Sequence, residues 1–231
     1  FLLGGDYALG DATALRASAA RKIPYPTLRD LYAVDRGNPD LEPETTYTYE
    51  LGQSHGFDSG NVTVEGVLFW IDAEDFIERV PGGVTQNFEK YRFKGIELTG
   101  SYRALESLEL AAGYTYMDSE NRSSGTDTDT LQNRPEHKFT LRVDYFPLPG
   151  LRLGGSYLYA ADSYTLSRTT PTTTKKLGDY GVLDLDGWYE FRDGRARIYA
   201  RVENVLDENY EESFGFPQPG RTYVIGAKLG L

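Results

Sequence analysis

The chain has no cysteine, which excludes disulfide scaffolds, thiolate metal sites and cysteine nucleophiles together. It also lacks any run of about 18 apolar residues, so no helix can cross a membrane. Only two histidines are present, His55 and His137, and neither has a partner at a spacing that zinc uses. No serine sits in G-x-S-x-G, and no glycine-rich turn joins a strand to a helix, so hydrolase and nucleotide-binding chemistry find no support. Basic residues are in deficit: 24 Lys and Arg stand against 35 Asp and Glu, a formal charge of −11. That balance argues against nucleic acid as a partner, because phosphate binding needs a basic surface. The opening residues Phe1-Leu2-Leu3-Gly4-Gly5-Asp6 carry no charged leader and no cleavage site. The expectations are no metal site, no cofactor and no enzymatic reaction.

What the chain does have is a two-residue rhythm. In Arg195–Val202 one parity reads Arg195, Arg197, Tyr199, Arg201 and the other Ala196, Ile198, Ala200, Val202. In Thr222–Leu231 one parity is Tyr223, Ile225, Ala227, Leu229, Leu231. A period of two sends each set to one face of a strand. One face suits hydrocarbon and the other water, over roughly the ten residues that a tilted strand needs to cross a bilayer. Eleven such segments are predicted: Leu2–Leu9, Thr13–Arg21, Thr45–His55, Asn61–Ile77, Phe88–Arg103, Leu108–Asp118, Pro135–Phe146, Leu151–Asp162, Tyr180–Phe191, Arg195–Val205 and Gly220–Leu231. Their connections alternate strictly, short then long, with long ones at 22–44, 81–87, 119–134, 163–179 and 206–219. Short turns at one end and long loops at the other are the build of an outer-membrane barrel. Tyrosine is abundant, 18 against 2 Trp, and suits a membrane interface.

On the wet parity lie Arg16, Glu50, Glu65, Glu97, Arg142, Asp144, Asp184, Asp186, Glu190, Arg197, Arg201, Glu203 and Lys228. A charge at the lipid midplane costs roughly 2–4 kcal/mol, so this sorting has physical weight. A soluble sandwich would alternate too, with its apolar face inside, and the alternation alone leaves that choice open. An odd number of antiparallel strands cannot close on itself without a parallel pair, and an open edge cannot face lipid. The economical expectation is that further strands precede residue 1.

Several stretches, in order, resemble the C-terminal half of TonB-dependent outer-membrane receptors. Ile23-Pro24-Tyr25-Pro26-Thr27-Leu28-Arg29-Asp30-Leu31-Tyr32 resembles that family's APTLxELY segment. Asn38-Pro39-Asp40-Leu41-Glu42-Pro43-Glu44, leading to Tyr49-Glu50-Leu51-Gly52, is similar to its NPxLxPE box. Gly95-Ile96-Glu97 and Asn133-Arg134-Pro135-Glu136-His137 are similar to two further hallmarks. Val202-Glu203-Asn204-Val205-Leu206-Asp207-Glu208-Asn209-Tyr210 with Pro219-Gly220-Arg221 resembles the closing box. The chain departs from the family at its end, finishing in Leu231 where members commonly carry Phe or Trp. Each box also has a plain structural reading: Thr27 is expected to cap one helical turn through Leu31, and Pro219-Gly220 to turn the chain into the last strand.

The resemblance implies an all-β antiparallel transmembrane barrel, with residues 1–231 as about eleven strands of a 22-stranded whole. The plug domain, the segment grasped by the TonB complex and the signal peptide would lie outside this chain. It further implies a bacterial outer-membrane receptor that imports a ferric siderophore, or alternatively haem or cobalamin. A passive porin-like channel, a barrel enzyme and a soluble β-rich binding protein are the competing readings. Ligand capture would fall to loop residues, with Tyr25, Tyr32, Tyr164, Arg168, Tyr210, Phe214 and Phe216 as candidates: aromatics give rigid contact area and arginine pairs with anions. Arg16, Glu50, Glu97, Asp184, Asp186, Arg197, Arg201 and Glu203 would face the lumen and contact the plug or neighbouring strands. The expected partners are therefore the plug, TonB, outer-membrane lipid and a metal chelate or cobalamin.

Overall fold

The computed structural model describes residues 1–79, 83–124, 128–166, 173–191 and 194–230. Its strands are β1 (Leu2–Ala8), β2 (Thr13–Lys22), β3 (Thr45–Phe57), β4 (Val62–Arg79), β5 (Thr85–Leu105), β6 (Leu108–Asn121), β7 (His137–Leu148) and β8 (Leu151–Ala161). They continue with β9 (Tyr164–Leu166), β10 (Thr174–Lys176), β11 (Tyr180–Phe191), β12 (Ala196–Glu203), β13 (Glu211–Ser213), β14 (Phe216–Pro217) and β15 (Thr222–Leu229). Eleven of these form one antiparallel sheet in chain order, β1 through β8 followed by β11, β12 and β15. The pairs β9–β10 and β13–β14 are separate two-stranded ribbons inside long connections. One five-residue helix, α1 (Leu28–Tyr32), begins at Thr27. There the Thr27 hydroxyl accepts from Asp30 N, and the Asp30 carboxylate accepts from Thr27 N in return.

The up-down order follows from the turns. Gly150 takes φ 80° between β7 and β8, where a Cβ would stand 2.6 Å from the Glu190 carbonyl oxygen. Only glycine fits both the backbone angle and the space. One predicted long connection is short: the chain between β4 and β5 spans only residues 80–84, because pairing continues out to Arg79↔Thr85. β4 and β5, at 18 and 21 residues, are instead far longer than a crossing needs. Of the residues that sequence reading assigned to a loop, Thr85, Gln86 and Asn87 are instead the start of β5.

Register decides which residues share a face. Trp70 opposes Lys94, Leu68 opposes Ile96, Leu98 opposes Tyr114, Phe139 opposes Tyr159, and Ala200 opposes Ile225. Following these pairs across the sheet gives one continuous apolar face. It carries Leu51, Leu68, Leu98, Leu141, Leu153, Leu185, Ile198 and Ile225, all exposed, from 38% at Leu141 to 85% at Ile225. No described element packs on it. A soluble sandwich would bury such a face; here it is bare, as a lipid-facing wall must be.

Aromatic side chains bound this band. Phe57, Tyr102, Tyr145 and Tyr189 stand on its short-turn side, and Tyr49, Trp70, Tyr116 and Tyr159 towards the long loops. Beyond Trp70 the same parity becomes charged. Trp70 Nε1 donates to Asp72 (2.8 Å), Arg92 pairs with Asp72 (2.7 Å) and lies 4.4 Å from the Trp70 ring centroid, and Lys94 pairs with Asp118 (2.8 Å). The apolar band therefore ends at Trp70, and the β4–β6 wall continues above it into water.

Leu185→Arg on the apolar face should cost roughly 2–4 kcal/mol of unfolding free energy in lipid vesicles. Ser156→Arg, on the opposite face of the neighbouring strand, should cost less than about 1 kcal/mol, as surface changes usually do. Urea titration followed by tryptophan fluorescence reads the difference.

Candidate functional site

The second face of the sheet is a ladder of paired charges. Register brings Arg16, Glu50, Glu65, Glu97, Arg142, Asp144, Asp184, Asp186, Glu190, Arg197, Arg201, Glu203 and Lys228 onto it. Arg152, nearly buried, pairs with both Asp144 and Asp186, and Arg142 closes on Asp144 at 2.7 Å. Arg201 reaches Asp184 (3.2 Å) and Glu203 (3.3 Å). Arg197 pairs with Glu190 and lies 4.5 Å from the centroid of the Trp188 ring. Across the sheet Arg16 pairs with Glu65 (2.7 Å), and Ser18 donates to Glu50 (3.1 Å). Glu97 has no hydrogen-bond or ion-pair partner among the described residues. Alternating signs let most of these carboxylates pair with a guanidinium, so the face stays polar without one dominant charge.

The closing box is a loop anchor. Asn204 is buried at φ 50° between β12 and the long connection. Its amide Nδ2 donates to Glu208 O (2.9 Å) and Pro219 O (3.2 Å), its Oδ1 accepts from Glu208 N (2.8 Å), and its own N–H donates to Asp184 (2.8 Å). Arg221 N donates to Asp207 Oδ1 (2.8 Å), and its Nε to Val205 O (2.9 Å). The two ends of the loop are thereby stapled at the level where β15 begins. The Asn38 box does the same work for the β2–β3 connection: Asn38 Nδ2 donates to Thr85 O (3.1 Å), and Glu42 N to Asn87 Oδ1 (2.9 Å). Ile77 N donates to Glu44 Oε1 (2.7 Å).

The candidate ligand residues fall into two groups. Tyr25 and Tyr32, 76% and 67% exposed, lie on the β2–β3 connection around α1. Tyr164, Tyr210, Phe214 and Phe216 lie on the β8–β11 and β12–β15 connections, near the other end of the sheet order. Arg168 lies outside the described residues. Within the second group, Tyr210 stacks on Tyr180 with centroids 4.4 Å apart, and burial raises the Tyr210 phenol above its ordinary value. Phe214 lies under Lys175, whose Nζ is 4.4 Å from the ring centroid, so the two connections meet there. The β9–β10 ribbon is held from below. Lys176 pairs with Asp162 (2.6 Å), which raises its ammonium, and the Asp162 N–H donated to Asp179 holds that carboxyl below its usual range.

Sequence reasoning missed Lys175 and Tyr180, and also an aromatic cluster on the charged-face parity at the long-loop end. There Tyr91 packs with Ala73 and Leu131, joined by Phe76, Phe88 and Phe93. Asp75 at φ 54° turns β4, and Phe76 stacks on Tyr91 with centroids 4.9 Å apart. Arg134 sits 5.5 Å from the Phe93 ring centroid. The available signal was Phe69, Ile71, Tyr91 and Phe93 recurring on the parity that carries Glu65 and Glu97.

A bare apolar band, aromatic borders, a charged opposite face, short turns and long anchored loops together define the wall of an outer-membrane β-barrel. The chain belongs to the TonB dependent receptor-like β-barrel family, whose pattern matches residues 3–205. It is 28% identical over 213 residues to the iron-regulated outer membrane virulence protein of Vibrio cholerae serotype O1, covering 84% of this chain and 32% of that protein. It is 26% identical over 236 residues to the vitamin B12 transporter BtuB of Photobacterium profundum, covering 97% and 36%. In fold it is similar to the ferric-catecholate import receptor Fiu of Escherichia coli K12, with a TM-score of 0.75 at 22% identity over 99% of this chain and 34% of that one. The chain thus spans about a third of the length of the relatives it matches.

Two expected outcomes follow. Asn204→Ala removes three hydrogen bonds to backbone groups and should cost about 3 kcal/mol, at about 1 kcal/mol for each bond lost; urea unfolding reads it, and Asn204→Gly separates the contribution of the positive φ. The ribbon anchor has a defined pH window. A depressed Asp179 adds stability above the unfolded aspartate pKa and loses it as pH falls through the lower folded value. A raised Lys176 adds stability below the unfolded lysine pKa and loses it as pH rises through the higher folded value. Hydrogen exchange of the β9–β10 ribbon, corrected for intrinsic rates, should be flat from about pH 5 to 9 and loosen as pH falls below the ordinary aspartate range.

Proposed function

We propose that this chain is the C-terminal half of a 22-stranded, plugged outer-membrane receptor that takes up a ferric siderophore with energy delivered through TonB. The observation that carries the reading is the family match along residues 3–205, on a sheet that aligns with the wall of an iron-import receptor. The Vibrio cholerae relative is named for regulation by iron, and Fiu for ferric catecholates, which supports iron over other solutes. Cobalamin uptake is the second reading, favoured by the vitamin B12 transporter that aligns with 97% of this chain.

The mechanism is binding and gated passage. Both sheet edges, β1 and β15, lack a strand partner among the described residues. Unpaired backbone groups cost several kcal/mol each in hydrocarbon, which supports further strands closing the barrel. Loop residues Tyr25, Tyr32, Tyr164, Arg168, Tyr210, Phe214 and Phe216 capture the solute. Arg16, Glu50, Glu97, Asp184, Asp186, Arg197, Arg201 and Glu203 hold the plug or brace the strands beside it. Paired charges suit a plug that must move, because water can replace each hydrogen bond as it is lost.

Uptake of radioactive iron as a catecholate complex, and of labelled cyanocobalamin, separates the readings in cells expressing the full receptor. Iron accumulation that ceases without TonB is expected. Cobalamin accumulation alone would transfer the assignment to the second reading. Accumulation indifferent to TonB would point to a passive channel and contradict the proposal.

A further inference from the structure

A groove of about 450 Å³ opens between the β2–β3 connection and the tops of β4 and β5, lined by Pro24, Tyr25, Thr27, Arg29, Arg36 and Ile77 among others. Two carboxylates, Asp30 and Glu44, also line it, and both are committed to protein donors. Asp30 accepts from the Thr27 N–H and hydroxyl, and Glu44 accepts from Ile77 N. The two arginines are not committed. The nearest carboxylate to Arg36 is that of its own neighbour Asp35, at 3.9 Å, and Asp35 is itself largely exposed. None of the five guanidinium donors of Arg36 makes a hydrogen bond among the described residues, although its side chain is only 22% exposed. Arg29 likewise has no hydrogen-bond or ion-pair partner among them.

The position of Arg36 is set by backbone rather than by its charge. Arg36 N and Gly37 N both donate to Ala33 O (3.3 and 2.7 Å), and Thr85 N donates to Arg36 O (2.9 Å). At Gly37 a Cβ would stand 2.5 Å from Ala33 N, so the chain passes the end of α1 as closely as it can. A sheltered guanidinium with unused donors, lining a concave surface, offers the planar fork that a planar oxyanion matches. Exposed Tyr25 adds an aromatic wall to the same groove.

The geometry points to an oxyanion subsite in this groove: Arg36, assisted by Arg29, grips a carboxylate or phosphate group of a small solute. The inference rests on the solute-receptor reading and narrows its substrate class to molecules that carry a free oxyanion.

Calorimetric titration of the full-length receptor in detergent, with citrate and separately with inorganic pyrophosphate, tests it. At least one probe should bind, and Arg36→Gln should weaken that probe by about tenfold or more, the scale of a lost charge-assisted pair. Arg36→Lys should recover part of the affinity. Arg29→Gln, at an exposed position, should weaken binding less and guards against misfolding of the first variant. Arg103→Gln, at the short-turn end, should change nothing. Citrate binding alone assigns a carboxylate, and pyrophosphate binding alone a phosphate. Equal affinity in wild type and Arg36→Gln, or no binding of either probe to wild type, overturns the subsite. Loss of iron uptake specificity with Arg36-dependent binding intact would remove the siderophore reading and leave the groove standing.

Discussion

The structure depends on one constraint: in hydrocarbon, every peptide N–H and C=O must find a partner within the protein. An antiparallel sheet meets it only by pairing each strand with both neighbours along the full crossing. That pairing then fixes everything else, because side chains alternate with a period of two, and a one-residue slip would turn every charge towards lipid. The register here permits no slip. Arg197 opposes Glu190 and Lys228 while Ile198 opposes Tyr189 and Ala227, so charge and hydrocarbon sort together across three strands.

The loops are built on that rigid wall. Their ends are held by side-chain amides bonding backbone, Asn204 at one connection and Asn38 with Asn87 at another. Asn38 and Asn204 belong to the boxes that resemble the family, and their work in this structure is anchoring. They fix the loop bases to the wall through side-chain bonds to backbone. On the proposed reading, solute chemistry falls to other loop residues, such as Arg36, Lys175 and Phe214.

Most of the wall was legible because the two-residue period is long and its interruptions are marked by Gly, Asp and Pro. Tyr180–Phe191 matches its predicted bounds, and most other strand ends fall within three residues. The failures have physical causes. The β4–β5 hairpin outruns its membrane span, so Thr85, Gln86 and Asn87, which pair with Arg79, Glu78 and Ile77, carry no lipid-facing pattern and read as loop. The ribbons β9–β10 and β13–β14 have two or three residues per strand, too short for a period to register. Beyond Trp70 the outer parity turns from apolar to charged, because the wall has left the bilayer. The loop site was less legible: composition could nominate aromatics, but only the fold separates Tyr25 from Tyr210 and pairs Lys175 with Phe214. An arginine such as Arg36 gives no signal at all until its neighbours are known to be engaged elsewhere.

The absence of native cysteine makes the central claim directly measurable. Single cysteines placed in turn at positions 182–188 of β11, in the full receptor within outer-membrane lipid, can carry nitroxide labels. Relative access to oxygen, which concentrates in lipid, and to a water-soluble nickel chelate then reports each side chain's surroundings. The account predicts strict alternation, with Leu183, Leu185 and Gly187 positions open to oxygen and Asp184, Asp186 and Trp188 positions shielded from lipid. Equal access of the nickel chelate to both sets, or alternation of the opposite phase, would contradict a lipid-facing apolar band and with it the barrel.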